Sequence, residues 1–244
     1  MTSTQIQHAP EAWPTQVRLP GQTAATPGPV DMTMMYLMHH AFRRDLAAFA
    51  AAAKVTPVGD REAWRALAER WDLFSEVLHH HHTGEDTGLW PVLMERTDAA
   101  GREVLAAMEA EHAEIDPILE ASAAGFHRLA AHADEDARQA LAVRLAAAKA
   151  SLADHLRHEE TGAIPILQAV MTQADWDERE ETSFKEGITF RQIVRMVPWV
   201  AHEVPDAVRR TVFAKPGGRA NQVIWWLTRR GFERRDRVAF RHLP

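Results

Sequence analysis

The chain has 244 residues, 46% of them hydrophobic, enough for one large domain or a domain with an appendage. It contains no cysteine, which excludes disulfides and thiolate metal ligands, so any metal must bind through nitrogen and oxygen. The net charge of −6 is divided: residues 183–244 carry 13 Lys or Arg against 5 Asp or Glu, and all of the acidic excess lies upstream.

Abundant alanine and a single tyrosine favour helix over sheet. No segment reaches the roughly 20 apolar residues of a membrane span, and the N-terminus lacks the apolar core of a signal peptide. A cytoplasmic protein without a membrane span is expected.

Residues 1–30 hold five prolines and few aliphatic residues, the composition of a flexible N-terminal arm. The 31–54 stretch predicts a helix, with Asp31 able to cap and Met35, Met38, Phe42, Leu46 and Phe49 at three- or four-residue steps. His39 and His40 fall in its middle, about 100° apart, so only one can face the core seam. A second helix starts at residue 61 and runs to about Met94, bent at Gly84, Gly88 and Pro91. Residues 102–132 predict a third helix, with Met108, His112, Ile115 and Leu119 on one face. Residues 136–170 predict a fourth, kinked at Pro165.

The second and fourth helices share a motif. His81 and His155 each precede a glutamate by four residues, Glu85 and Glu159, which places imidazole and carboxylate on one helix face. Each glutamate is followed by an acid, Thr-Gly, two residues and Pro: Glu85-Asp86-Thr87-Gly88 through Pro91, and Glu159-Glu160-Thr161-Gly162 through Pro165. The repeat singles out His81 and His155, because His82 and His158 have no counterpart histidine. The run His79-His80-His81-His82 lies inside the chain at the end of an apolar-periodic stretch, unlike a terminal tag. Glu109 and Glu111 are expected to face solvent.

Four helices joined by short loops specify an all-α, antiparallel up-down-up-down four-helix bundle over residues 31–174, with ligands at matching depths converging on one central site. Four histidines and two carboxylates suit two metal ions, and Glu85 and Glu159 can each span both. Iron, zinc and manganese all accept this N/O donor set.

These residues resemble the hemerythrin-like family of cation-binding bundles over residues 31–171, by His on the first helix, His-x-x-x-Glu on the second, His on the third and His-x-x-x-Glu on the fourth. The resemblance picks His39 over His40, and implies His39, His81, Glu85, His112, His155 and Glu159 as ligands of two non-haem iron ions. Asp116, His82 and His158 are expected to be further ligands or to orient the first set. Oxygen carriers of the family have a histidine where this chain has Asp116. A carboxylate there makes the two metal sites more alike and more oxygen-rich, which points to the bacterial non-carrier branch. The function implied is redox handling of dioxygen, peroxide or nitric oxide in preference to transport, with catalase-like peroxide disproportionation as one form. The alternatives are an iron or oxygen sensor, and a di-iron enzyme that activates dioxygen toward an organic substrate.

Residues 175–244 form a basic helical C-terminal extension. Helices are expected over residues 188–200, broken by Pro198, over 206–213 and over 219–230. This extension is expected to pack on the bundle, or to meet a second copy or a protein partner with Trp199, Trp225 and Trp226 as anchors. No nucleic-acid-binding motif accompanies its arginines, so nucleic acid is not an expected partner.

Overall fold

The computed structural model describes residues 13–244, and among them it is helical with no strand. Four long helical arms build the bundle: α1 (Thr33–Val55); α2 (Arg61–Gly84), carried on by α3 (Trp90–Arg96); α4 (Ala99–Ala131); and α5 (Glu135–His158), carried on by α6 (Ile164–Val170). The starts follow local chemistry. Asp60, Asp98 and Asp134 each accept a backbone N–H three residues on, from Ala63, Gly101 and Ala137. Asp31 instead sits one residue before the α1 N-cap Met32 and accepts from the Thr33 backbone N–H and hydroxyl.

The bends expected near Gly84 and Pro165 are π-helical turns, Glu85–Leu89 and Glu159–Ala163, each followed by a short helix with proline in its first turn. One extra residue per turn rotates the chain and re-aims the side chains that follow. Proline is tolerated there because its missing N–H falls in a first helical turn.

Helix α2 packs on α4, α4 on α5, and α5 on α1, whereas α1 and α2 touch each other sparsely. Two apolar clusters fill the interior. One is rich in aromatic rings, with the Phe49 centroid 5.1, 5.7 and 5.3 Å from those of Trp71, Phe74 and Phe126. The other gathers Met32, Tyr36, Leu89, Leu105, Met108 and Ile164. His39, His81, Glu85, His112, His155 and Glu159 lie on the bundle helices between these two sets of positions, all buried.

Beyond α6 come α7 (Gln173–Arg179), a π-helical turn Glu180–Lys185, α8 (Phe190–Val200), α9 (Asp206–Ala214) and α10 (Gly218–Ala239). The last helix runs nine residues past its expected end at Arg230. Helix α10 lies on α2 and α8, and α8 on α1, so the extension covers the sparsely packed α1–α2 side. Buried Asp45 on α1 fastens it. Its carboxylate accepts from Arg70 Nε at 2.6 Å, from Arg44 Nε at 2.8 Å and from Trp199 Nε1 at 2.7 Å. Trp199 is therefore part of the core and cannot anchor a partner. Trp225 packs on Phe213 under Arg209 and Arg229, which leaves Trp226 exposed beside Val223 and Leu227.

The composition-based picture of a loose arm does not fit residues 13–30. Leu19 and Val30 are buried, Gln16 bonds the Val30 carbonyl, and the Thr23 N–H donates to Glu160 Oε2. Prolines here shape an extended strap on α1 and α6. Residues 1–12 lie outside the described part.

Candidate metal centre

Two groups of buried donors face each other across the bundle. His39, His81 and Glu159 bring one ligand atom each to within 4.8 Å of one another, and so do His82, His112 and His155. Glu85 stands between them, with Oε1 3.2 Å from His81 Nε2 and Oε2 3.6 Å from His112 Nε2. His112 Nε2 is 3.2 Å from His155 Nε2, and Glu159 Oε2 is 3.0 Å from His39 Nε2.

All six residues singled out by the motif thus come together. His82 joins them, although the repeat passes it over. His81 and His82 project about 100° apart, yet both are buried, because the interior surrounds a wide sector of α2. His81 faces α1, and His82 faces α4, stacked on the His112 ring with centroids 3.9 Å apart. A repeat search cannot find such a residue, because the other half of the repeat lacks it. The adjacent His-His pair at the end of an apolar face is the only sequence signal.

Asp116 is not in either group. It is half-buried beside His82, with Oδ1 3.6 Å from His82 Nδ1 and Oδ2 3.5 Å from His79 Nδ1. His82, from α2, brings a third imidazole to the His112 and His155 group, where Asp116 does not reach. His158 also stays outside and bonds Glu111. His40 points away, its Nδ1 3.4 Å from the Pro20 carbonyl.

An outer layer of carboxylates orients the imidazoles. His39 Nδ1 is 3.0 Å from Glu160, His112 Nδ1 is 2.8 Å from Asp86, and His155 Nδ1 is 2.8 Å from Glu111. Such contacts fix the tautomer with Nδ1 protonated and Nε2 free to ligate. Glu111 therefore faces the site, against the expectation of solvent. The repeat's paired acids acquire a physical meaning. In Glu85-Asp86 and Glu159-Glu160 the first acid turns into the centre, while the second holds a histidine on another helix.

Without a cation this arrangement is electrostatically unresolved. Among the described residues, His39 Nε2, His81 Nε2, both nitrogens of His82 and all four oxygens of Glu85 and Glu159 are buried with no hydrogen-bond partner. Burial pushes the Glu85 carboxyl well above its usual range, and the neighbouring Glu159 charge adds to this. Burial also carries His81 well below 6.5 and His82 down to about 4, which keeps both rings neutral with lone pairs available. At His39 burial acts downward, but Glu159 and Glu160 outweigh it and raise the ring to about 9. Unpaired buried polar atoms are costly; cations here would satisfy the histidine Nε2 atoms and the Glu85 and Glu159 oxygens, while His82 Nδ1 faces Asp116. The donor set of imidazole and carboxylate fits such ions.

No helix of the described residues is long and apolar enough to cross a membrane. No curated protein and no solved structure matches the chain. A family model described as the hemerythrin HHE cation-binding domain matches residues 31–167, more than half of the chain and the whole span of the donor groups. By this match the chain belongs to the hemerythrin family, as a helical bundle with an HHE cation-binding domain.

Proposed function

We propose that the protein is a non-haem di-iron protein that binds and reacts with a small oxidant: dioxygen, peroxide or nitric oxide. The observation that carries this reading is the pair of unequal donor groups with Glu85 between them. His82, His112 and His155 would hold one ion with three imidazoles, and His39, His81 and Glu159 the other, while Glu85 lies between the two groups. A ferrous pair supplies electrons and an open coordination position to a small oxidant. The group with fewer imidazoles, at His39 and His81, would be the one to leave that position open.

The protein's own groups prepare it. Glu160 and Arg43 hold the His39 ring in place, the carboxylate by 3.0 Å to Nδ1 and the guanidinium by 2.7 Å to the same oxygen. Phe42 and Phe184 flank His81, with ring centroids 5.3 and 6.0 Å from its own. With His82 in the second group, this set no longer argues against reversible oxygen binding. The test is anaerobic Fe(II) loading followed by stepwise oxygen, peroxide and nitric oxide, read optically. Irreversible consumption of oxidant supports redox handling, and full spectral recovery on removing oxygen supports carriage. No reaction with any of the three would end this proposal.

A sensing role is favoured by one contact. A Cβ on Gly88 would meet Ser183 Oγ at 2.0 Å, and one on Gly84 would meet the Phe184 ring at 2.9 Å, so the extension seats directly on the turn that carries Glu85. Metal loading should then change protease cleavage within residues 175–244. Cleavage unaffected by metal and by oxidation would remove this reading.

A further inference from the structure

The sparse contact between α1 and α2 leaves a space that the extension roofs over. It is a cavity of about 400 Å³ with a predominantly apolar wall. Met38 from α1, Val77 and His81 from α2, Phe184 from the π-helical turn, and Met196 and Val197 from α8 line it. The family match ends at residue 167, so the outer wall comes from residues beyond it.

We propose that this cavity is a binding site for an uncharged, apolar organic molecule, held against the His81 edge of the metal centre. Three observations carry this. The volume lies in the range of small-molecule sites and equals about 13 units of water-sized volume at roughly 30 Å³ each, far beyond what a diatomic gas needs. The charged groups at its margin already have protein partners: Lys185 pairs with Glu180 and Glu181, and Arg209 pairs with Asp206 and covers the Trp225 ring. Among the described residues, an ionic ligand would find no free counter-charge at this wall. The lining methionines are flexible and polarizable, which suits an apolar guest of variable shape. His81 gives the site its direction, because the same ring lines the cavity and belongs to the first donor group.

The test uses N-phenyl-1-naphthylamine, a neutral two-ring fluorophore, with the full-length chain both metal-free and metal-loaded. Saturable binding of one probe per chain is expected in the metal-free protein. V197W and M196W, which fill the cavity, should each weaken it about tenfold or more, while helix content and melting stay near wild type. W226A, on the exposed patch of α10, should leave binding unchanged. In wild type loaded with Mn(II), with metal content measured separately, the probe's proton resonances should broaden by proximity to the ion. Only this last arm depends on the metal assignment, and it also carries the test if the filled variants misfold. Absence of saturable binding overturns the proposal, as does binding lost in W226A but kept in V197W. Binding without broadening, in protein shown to hold Mn(II), overturns the placement beside His81.

Discussion

Asp45→Asn tests how the extension is fastened to the bundle. The substitution keeps the volume and removes the charge that faces Arg44, Arg70 and the Trp199 indole N–H. Arg70 is 8% exposed, and its remaining counter-charge is Asp236 at 3.7 Å. Leaving one partner of a buried pair uncompensated costs about 3–5 kcal/mol, and Asp236 places this case near the lower end. The ionisation of Asp45 gives a second route to the magnitude. Burial alone would raise its pKa, but Arg44 and Arg70 outweigh that and bring it from 3.8 to about 2. A depression of that size contributes on the order of 2 kcal/mol at neutral pH. The sign follows from the depressed value. The contribution is complete above 3.8, falls to about half near pH 3, and is lost as pH drops through about 2. In urea unfolding followed by circular dichroism at pH 7, a slope of about 3 kcal/mol/M converts 3 kcal/mol into a midpoint shift of about 1 M. The gap between variant and wild type should hold from pH 7 down to about pH 4 and narrow from there through pH 3, and trypsin should cut the variant's extension faster. An unchanged midpoint at pH 7, or a gap that does not vary with pH, would refute this account of the buried network.

Other expectations follow from single contacts. Glu160→Gln removes the carboxylate on His39 Nδ1 and Arg43, and should weaken metal binding in the His39 pocket about 10–100-fold in chelator competition, leaving the His82 pocket intact. Gly88→Ala drives a methyl into Ser183 and should cost about 1–3 kcal/mol in urea melts. Adding Ser183→Gly should restore most of it. At Gly59 a methyl meets no atom within 4 Å, and Gly59→Ala should be neutral or stabilise by roughly 0.4–1 kcal/mol through the unfolded chain. Asp116→Asn, beside His82 but outside both donor groups, should change metal stoichiometry not at all.

The four bundle helices were legible because apolar residues at helical spacing and aspartates at the starts agree with each other. Five of the six motif residues needed only the repeat and the third-helix histidine. His39 needed the family's spacing, since His39 and His40 are both buried and periodicity alone does not separate them. The π-helical turns were hidden. Their sequences, Glu-Asp-Thr-Gly-Leu and Glu-Glu-Thr-Gly-Ala, announce a bend through Gly and Pro but not its hydrogen-bond pattern. That pattern re-aims the chain beyond His82, a position the motif rule passes over. Asp86, Glu111 and Glu160 were illegible for a different reason. Each acts on a histidine of another helix, and such contacts exist only once the bundle closes. The prolines of residues 13–30 misled in the same way, because a strap and a loose arm share a composition, and only the neighbouring surface decides between them.

The central claim is that two cation pockets lie side by side, with His39 and His81 in one and His82 in the other. Anaerobic Fe(II) titration of the metal-free chain, with bound iron counted per chain, tests it most directly. Wild type should take up two ions, and His39→Ala and His82→Ala should each take up one while keeping wild-type helix content. Uptake of one ion or none by wild type, or two ions retained by His82→Ala, would contradict the account.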